Sequence, residues 1–365
     1  MMRALVANRV IGTRVINLVS GKSLGQGVEI KDIPVPIISD DEILVKVHAV
    51  ALNPTDFKHI DIISPRNSII GCDYAGEVVK VGKDALGGWK IGDRVAGAVH
   101  GGLYHDRGSF AEYLKIDGDL AWKIPEKMLD EEAATYGISA VTAMLALNVH
   151  LGIPWVDEMI EHDGKPLHTA SEGPTVFVYA ASTCAGLFTV QLAKRAGCTV
   201  VATASPRSFD LVQLYGADRV FDYRSAFAIQ DIKTTFPDIS CALDCFSEGN
   251  SADFCDQVIK KTGGKVVTLL DRGKSKTPGV ERQIILSYTL FGRPFAWLQP
   301  IGPKFEARPT DRNALARFYA SLPRLTKVVK PPPMRVTEGR FDSILKGLDD
   351  LRQGKVSGTK LIVKF

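Results

Sequence analysis

Two short stretches of this chain carry the residue types that hold phosphates. The run Val176-Phe177-Val178-Tyr179-Ala180-Ala181-Ser182-Thr183-Cys184-Ala185-Gly186 reads as a strand, a turn and the start of a helix. At such a turn a dinucleotide fold sets bare glycine backbone and a helix N-terminus against a pyrophosphate. Gly186 is the surviving glycine of that pattern, and Ser182 and Thr183 offer hydroxyl donors instead. The same two residues would also serve as the N-cap of the helix. The second stretch, Ser205-Pro206-Arg207-Ser208, follows the next apolar strand, where an NAD site keeps an acid for the ribose 2′-hydroxyl. Hydroxyls and a cation at that strand end suit a 2′-phosphate, so NADPH is the expected cofactor. An arginine that simply faces water is the plainer alternative.

Metal chemistry finds no matching set. Cys72 and Asp73 are potential ligands, but His59, His100 and His105 fall on separate segments without ligand spacing, so no metal is expected. The six cysteines show no C-x-x-C pair, which argues against a disulfide framework and for a reducing, cytoplasmic setting. The first residues lack the sustained apolar run of a secretory signal. Segment 176–192 is too interrupted by polar residues to span a bilayer.

The elements that must position these residues fall into two rhythms. The first third is rich in glycine and in β-branched runs, with strands expected at Val28–Ile33, 42–50 and 77–81 and a helix at 133–149. A polar stretch, 152–173, reads as an exposed connection. From 175 onward, strands alternate with helices: strands at 175–181, 198–204, Arg219–Asp222, 240–246 and 265–270, helices between them. That alternation implies a parallel, doubly wound sheet. Helices near 313–322 and 341–352 follow, and 360–365 reads as a strand returned to the first domain. The expected class is α/β, with a β-rich domain over 1–135 and 305–365 and a Rossmann-type domain over 136–304. In a chain of 365 residues, Lys+Arg 45 against Asp+Glu 41 leaves a net charge of +4, too small and too mixed for a nucleic-acid groove or a membrane-surface patch.

Several motifs resemble the zinc-independent medium-chain dehydrogenase/reductase superfamily: Ala51-Leu52-Asn53-Pro54-Thr55-Asp56-Phe57-Lys58, Gly71-Cys72-Asp73-Tyr74-Ala75-Gly76 and Gly92-Asp93-Arg94-Val95. The set Ala181-Ser182-Thr183, Ser205–Ser208 and Phe221-Asp222-Tyr223-Arg224 resembles the fungal stand-alone (trans-acting) enoyl reductases that serve polyketide synthases. The resemblance spans the chain and implies a GroES-like catalytic domain beside the Rossmann domain. It implies that Thr55, Asp56, Phe57 and Lys58 lie beside the nicotinamide and ribose. Ser182, Thr183, Cys184 and Ala185 would hold the phosphates, and Ser205, Pro206, Arg207 and Ser208 the 2′-phosphate. Tyr223 would lie near the adenine ribose, with Leu269, Leu270, Val356 and Ser357 packed on the cofactor. Ser139, Val141 and Met144, with Thr289, Leu290, Phe291, Gly292 and Arg293, would line the substrate channel. Two departures stand out. Ala180-Ala181 replaces the family's Gly-Gly before Ser-Thr, and Ala140 stands where a Thr often follows Gly-Ile-Ser.

The implied reaction is conjugate reduction: hydride to the β-carbon of an α,β-unsaturated thioester, then a proton to the α-carbon. Lys58 and Tyr104 are the candidate catalytic residues, against the plainer readings of a cofactor contact and a loop aromatic. The implied partner is an acyl chain on a polyketide synthase carrier protein, met by a basic rim of Arg293, Lys304 and Arg308. A monomer is favoured. A quinone or enal reductase and a non-catalytic NADPH-binding protein are the alternatives.

Overall fold

The computed structural model describes residues 1–158, 173–260 and 262–365. They form two compact units, Met1–Ile138 with Tyr288–Pro323 and Pro333–Phe365, and Ser139–Ser287 with Arg324–Pro332. The chain thus returns to the first unit at Tyr288, earlier than the 305 read from the sequence, and revisits the second for Arg324–Pro332. Most of the expected 152–173 connection lies outside the described residues.

The first unit begins with an antiparallel pair, β1 (Met2–Ala7) and β2 (Val28–Ile33), then β3 (Glu42–Ala51), β4 (Asp73–Val81), β5 (Arg94–Ala98), β6 (Tyr113–Asp117) and β7 (Ala121–Lys123). The hub is β3, an apolar run buried on both faces at Ile43-Leu44-Val45 and Ala49-Val50-Ala51. One edge of β3 pairs with β4 across two register shifts, at Leu44/Val45 and Val47/Ala49, which bend the strand. Its other edge takes β6 and, near Ala51, the final strand described below.

The helix Ile11–Ser20, absent from the sequence reading, is inverted: Arg14 and Asn17 are buried while Ile16 and Val19 face out. Its polar face is tied to the segment His59–Ile63, by Arg14 Nη1 to the Ile63 carbonyl at 2.7 Å and Asn17 Nδ2 to the Asp61 carbonyl at 2.8 Å. Arg9 and Arg352 clamp the Asp61 carboxylate from two further elements, at 2.8 and 3.0 Å. The expected helix over 133–149 is broken at Gly137, where a Cβ would stand 2.2 Å from Asp73 Oδ1. It becomes Asp130–Ala133, a short turn, Ile138–Met144, and a wider turn over Leu145–His150.

The second unit holds β8 (Thr175–Tyr179), β9 (Thr199–Ala204), β10 (Arg219–Asp222), β11 (Cys241–Asp244), β12 (Gly264–Thr268) and β13 (Val280–Ile284). They form one parallel sheet in the order β10-β9-β8-β11-β12-β13. Counted from its own first strand the order is 3-2-1-4-5-6, the doubly wound dinucleotide arrangement. The edge strand β13 was not expected from the sequence. Phe177, Val201, Ala242 and Val266 pack with Ile232, Cys255 and Ile259 into its core, and each buried aliphatic contributes about 1.5–3 kcal/mol.

Back in the first unit, β14 (Phe295–Ala296) and β15 (Lys304–Phe305) form a small antiparallel pair. The helix Pro309–Leu325 follows, then β16 (Met334–Thr337) and β17 (Lys360–Lys364). As expected, the last strand joins the first unit: β17 pairs antiparallel with β3, Ile362 opposite Ala51.

Candidate active site

The segment after β3 is set by a helix start. Pro54 opens the helix Pro54–Lys58, and the Asn53 N–H donates to Asp56 Oδ2 at 2.7 Å. Below it lies a fully buried polar knot. Lys360 Nζ donates to Asn53 Oδ1 at 2.5 Å and to Asp73 Oδ2 at 3.1 Å, while Asn53 Nδ2 donates to the same Asp73 oxygen at 2.9 Å. Asp73 Oδ1 accepts the Ile138 N–H at 2.6 Å. Burial, together with the neighbouring Asp73 charge, pushes the Asp56 carboxyl up to about 7.

Above the knot is an aromatic chamber. Tyr288 stacks on His100, ring centroids 4.0 Å apart at 18°, and leans on His59 at 4.9 Å. Phe295 and Trp297 close round it edge-on, and Tyr104 meets His100 at 5.7 Å and 90°. His59 and His100, which the sequence placed on separate segments, come within 5.9 Å centroid to centroid. His59 Nδ1 lies 2.9 Å from the Thr55 carbonyl oxygen, which can only accept, so Nδ1 carries the proton. Burial lowers the His59 pKa to about 4, so the ring is neutral with a bare Nε2. Burial lowers His100 well below the usual histidine range as well. The Tyr288 hydroxyl sits 2.5 Å from Thr55 Oγ1.

A small cavity is lined by His100, Tyr104, Tyr288 and Phe291 on one side and by Arg107, Asp117 and Arg293 on another. Its charged wall is internally balanced. Arg107 pairs with Glu42 at 2.8 Å and Arg293 with Asp117 at 2.8 Å, while Lys115 pairs with Asp106 at 2.8 Å and Arg312 with Asp119 at 2.8 Å. Arg293 is therefore a paired wall residue and not a free rim cation, whereas Lys304 and Arg308 are exposed. Of the expected channel residues in this segment, Phe291 and Arg293 reach the cavity. Thr289 spends its hydroxyl on Asp311 at 2.5 Å, Leu290 is fully buried, and Gly292 packs against Arg312. Tyr104 lines the cavity, with the Arg107 guanidinium 5.8 Å from its ring. Lys58, partly exposed at the end of its helix, is not among the lining residues. Val356 is half-buried and Ser357 exposed in the loop before β17.

The second unit carries the turn at which phosphate binding is expected. Thr183 is the N-cap of the helix Cys184–Arg195: its Oγ1 accepts the Gly186 N–H at 3.1 Å and donates to the Ala180 carbonyl at 2.9 Å. Ser182, half-buried, precedes it in the turn. Gly186 has no room for a side chain, because a Cβ would lie 2.6 Å from Ala181 Cα. Ala180 is held at φ 56°, the left-handed region where glycine is at home. At the end of β9, Ser205 and Ser208 hydroxyls stand 3.4 Å apart, and Pro206 opens the short turn that presents Arg207 to solvent. This donor set, a cation and hydroxyls without a carboxylate, fits a 2′-phosphate. Tyr223 is exposed beside Tyr179, and Leu269 and Leu270 are half-buried after β12. Ser139, Val141 and Met144 are buried on the helix Ile138–Met144.

A parallel sheet in this order, carried on a chain with a β-rich unit built round β3, is the architecture of nucleotide-dependent dehydrogenases and reductases. Comparison with known proteins narrows the class. Residues 39–126 match the alcohol dehydrogenase GroES-like domain, and 184–286 the zinc-binding dehydrogenase family. A trans-enoyl reductase of Alternaria alternata is 37% identical over 93% of this chain and 96% of its own length. One from Gibberella zeae is 36% identical over 91% and 92%. The CurK enoyl reductase superposes with a TM-score of 0.72 at 19% identity, covering 99% of both chains. A mycobacterial protein solved as its NADPH complex gives 0.71 at 18%, covering 100% of both. The chain belongs to the medium-chain dehydrogenase/reductase superfamily and, within it, to the trans-enoyl reductases; it is an oxidoreductase.

The zinc of one family description does not fit the residues here. Among the described residues no group of three His, Cys, Asp or Glu could hold a metal. The Asp73 carboxylate is already matched by the Lys360 ammonium at 3.1 Å. Among the described residues no helix is long and apolar enough to cross a membrane.

Proposed function

We propose that this protein is an NADPH-dependent enoyl reductase acting on an α,β-unsaturated thioester, the acyl chain being carried by a polyketide synthase. The observation that carries the reading is the likeness to trans-enoyl reductases over more than nine-tenths of both chains. The donor set at Ser205, Arg207 and Ser208 supports NADPH over NADH. Ser182 and the first-turn N–H groups of Cys184 and Ala185 would hold the pyrophosphate. Thr55–Lys58, Tyr223, Leu269, Leu270, Val356 and Ser357 are proposed further cofactor contacts, and Ser139, Val141 and Met144 further substrate contacts.

When bound, the reduced nicotinamide supplies the hydride. The chain's own part is to exclude water and to meet the charge that develops on the thioester oxygen. The rings of Phe291, Tyr288 and His100 make a buried wall, and away from bulk water a fixed donor acts more strongly.

Stopped-flow oxidation of NADPH with short enoyl-pantetheine thioesters, run beside a quinone, tests the reading. Rapid oxidation with the thioester is expected. Oxidation by the quinone alone would replace the assignment with a quinone reductase.

A further inference from the structure

We infer that Ser247 is a positioning residue for hydride transfer, its hydroxyl locking together the two loops that border the nicotinamide half of the nucleotide crevice. The inference rests on the NADPH-dependent reductase reading and names a residue which that reading does not use. In a doubly wound sheet the nucleotide lies outside the carboxyl ends of the strands, at the point where the strand order reverses. Here that point falls between β8 and β11. With the 2′-phosphate assigned to the residues after β9 and the pyrophosphate to the turn after β8, the nicotinamide half falls to the carboxyl ends of β11 and β12.

Those two ends are tied by one hydroxyl. Ser247 Oγ accepts the Leu269 N–H at 2.8 Å and donates to the Asp244 carbonyl at 2.9 Å. Leu269, half-buried, is the first residue after β12 and one of the proposed cofactor contacts. The turn that presents Ser247 is fixed from inside. Asp244, the fully buried last residue of β11, accepts the Phe246 and Ser247 N–H groups on Oδ1 at 3.0 and 2.8 Å. Its Oδ2 accepts the Ser251 hydroxyl at 2.6 Å.

Backbone strain marks the same place. Ser247 is fully buried at φ 55°, and Ala180, just past β8, is at φ 56°. Both strands that border the reversal thus leave the sheet through a non-glycine residue in the left-handed region. Strain of this kind persists only where the surroundings hold it, and it gathers at sites that preorganise a ligand. Glycine would adopt this φ freely. What serine adds there is a hydroxyl that reaches the next loop.

The test compares full-length Ser247→Gly and Ser247→Ala with wild type. Both lose the hydroxyl, but only glycine relieves the strain, so Ser247→Ala should melt lower than Ser247→Gly. Amide hydrogen exchange in the nucleotide-free protein should show the Leu269 N–H protected in wild type and exchanging about tenfold faster or more in both variants. Single-turnover hydride transfer from NADPH to a short enoyl-pantetheine thioester should slow by about ten- to a hundred-fold in both alike. NADPH affinity by fluorescence titration should fall far less. A rate loss that follows the melting temperatures, and so differs between the two variants, would mark a merely structural tie and overturn the inference. A Leu269 N–H that exchanges freely in wild type would overturn it as well, even where a variant fails to fold. A wild type that oxidises NADPH only with quinone sinks the enoyl reductase reading but not this inference, because the slowed hydride transfer is then read with quinone as the acceptor.

Discussion

The two units hold their chemistry in opposite ways. In the second unit the proposed phosphate donors lie close together in sequence after two strands, most of them half-open to water, with Arg207 presented to solvent. In the first, the clustered polar and aromatic groups are drawn from distant parts of the chain and buried. Tyr288 and His59 touch across 229 residues, and Lys360 meets Asn53 across 307. A charged ligand is best met by groups that stay hydrated until it arrives, whereas an enolate is best met by fixed donors in a dry space. The contrast predicts that substitutions in the first unit disturb stability and pH response, while those at the nucleotide turn disturb affinity.

The largest effect is expected at Lys360. Lys360→Met leaves Asp73 charged and buried without its cation, which costs about 3–5 kcal/mol. Lys194→Met, which removes a surface pair with Asp218 in the second unit, should cost about 0–1 kcal/mol. Urea unfolding of both variants measures the difference, and equal losses would erase the contrast between the units.

Next in size is Arg207→Ala. NADPH affinity should fall by about 1.5–3 kcal/mol, roughly ten- to a hundred-fold, with NADH affinity unchanged. An unaltered NADPH/NADH ratio would remove Arg207 from the 2′-phosphate site.

The pH response of the first unit follows from two groups of opposite sign. His59 is lowered from 6.5 to about 4, so its share of stability is complete above pH 6.5 and is lost as pH falls toward 4. Asp56 is raised from 3.8 to about 7, so its share is complete below pH 3.8 and is lost as pH rises through 7. Asp56→Asn should therefore gain stability relative to wild type as pH climbs from 4 to 7. A pH-independent difference in melting temperature would contradict the buried, protonated carboxyl.

The smallest change is expected at Ala180. Ala180→Gly relieves a left-handed alanine and should stabilise the second unit by about 1 kcal/mol, readable as a higher melting temperature. No gain would mean that glycine's extra freedom in the unfolded chain offsets the relief.

What was legible in the sequence follows the same division. The alternation of strands and helices gave the parallel sheet, and Ser205–Ser208 stands at the end of β9, because both are local patterns. The edge strand β13 escaped because its sequence, Val280-Glu281-Arg282-Gln283-Ile284, is half polar. The helix Ile11–Ser20 escaped because its apolar face points outward and its buried face is polar, the reverse of the periodicity that signals a core helix. On the sequence His59 and His100 suggest only metal ligation, and no local pattern marks Tyr288, Phe295 or Trp297. The one local sign of the chamber is the four-residue spacing of Thr55 and His59, which lets the imidazole reach back to the Thr55 carbonyl. Thr289 and Leu290 belong to a segment that does reach the cavity, but their own side chains are spent on Asp311 and on the core.

The central claim is conjugate hydride transfer to an enoyl thioester. The direct measurement is mass spectrometry and NMR of the product formed with NADPH carrying deuterium at the reactive C4 position. One deuterium is expected at the β-carbon of the saturated thioester and none on a carbonyl carbon. Deuterium on a carbinol carbon, or its loss only into a hydroquinone, would contradict it.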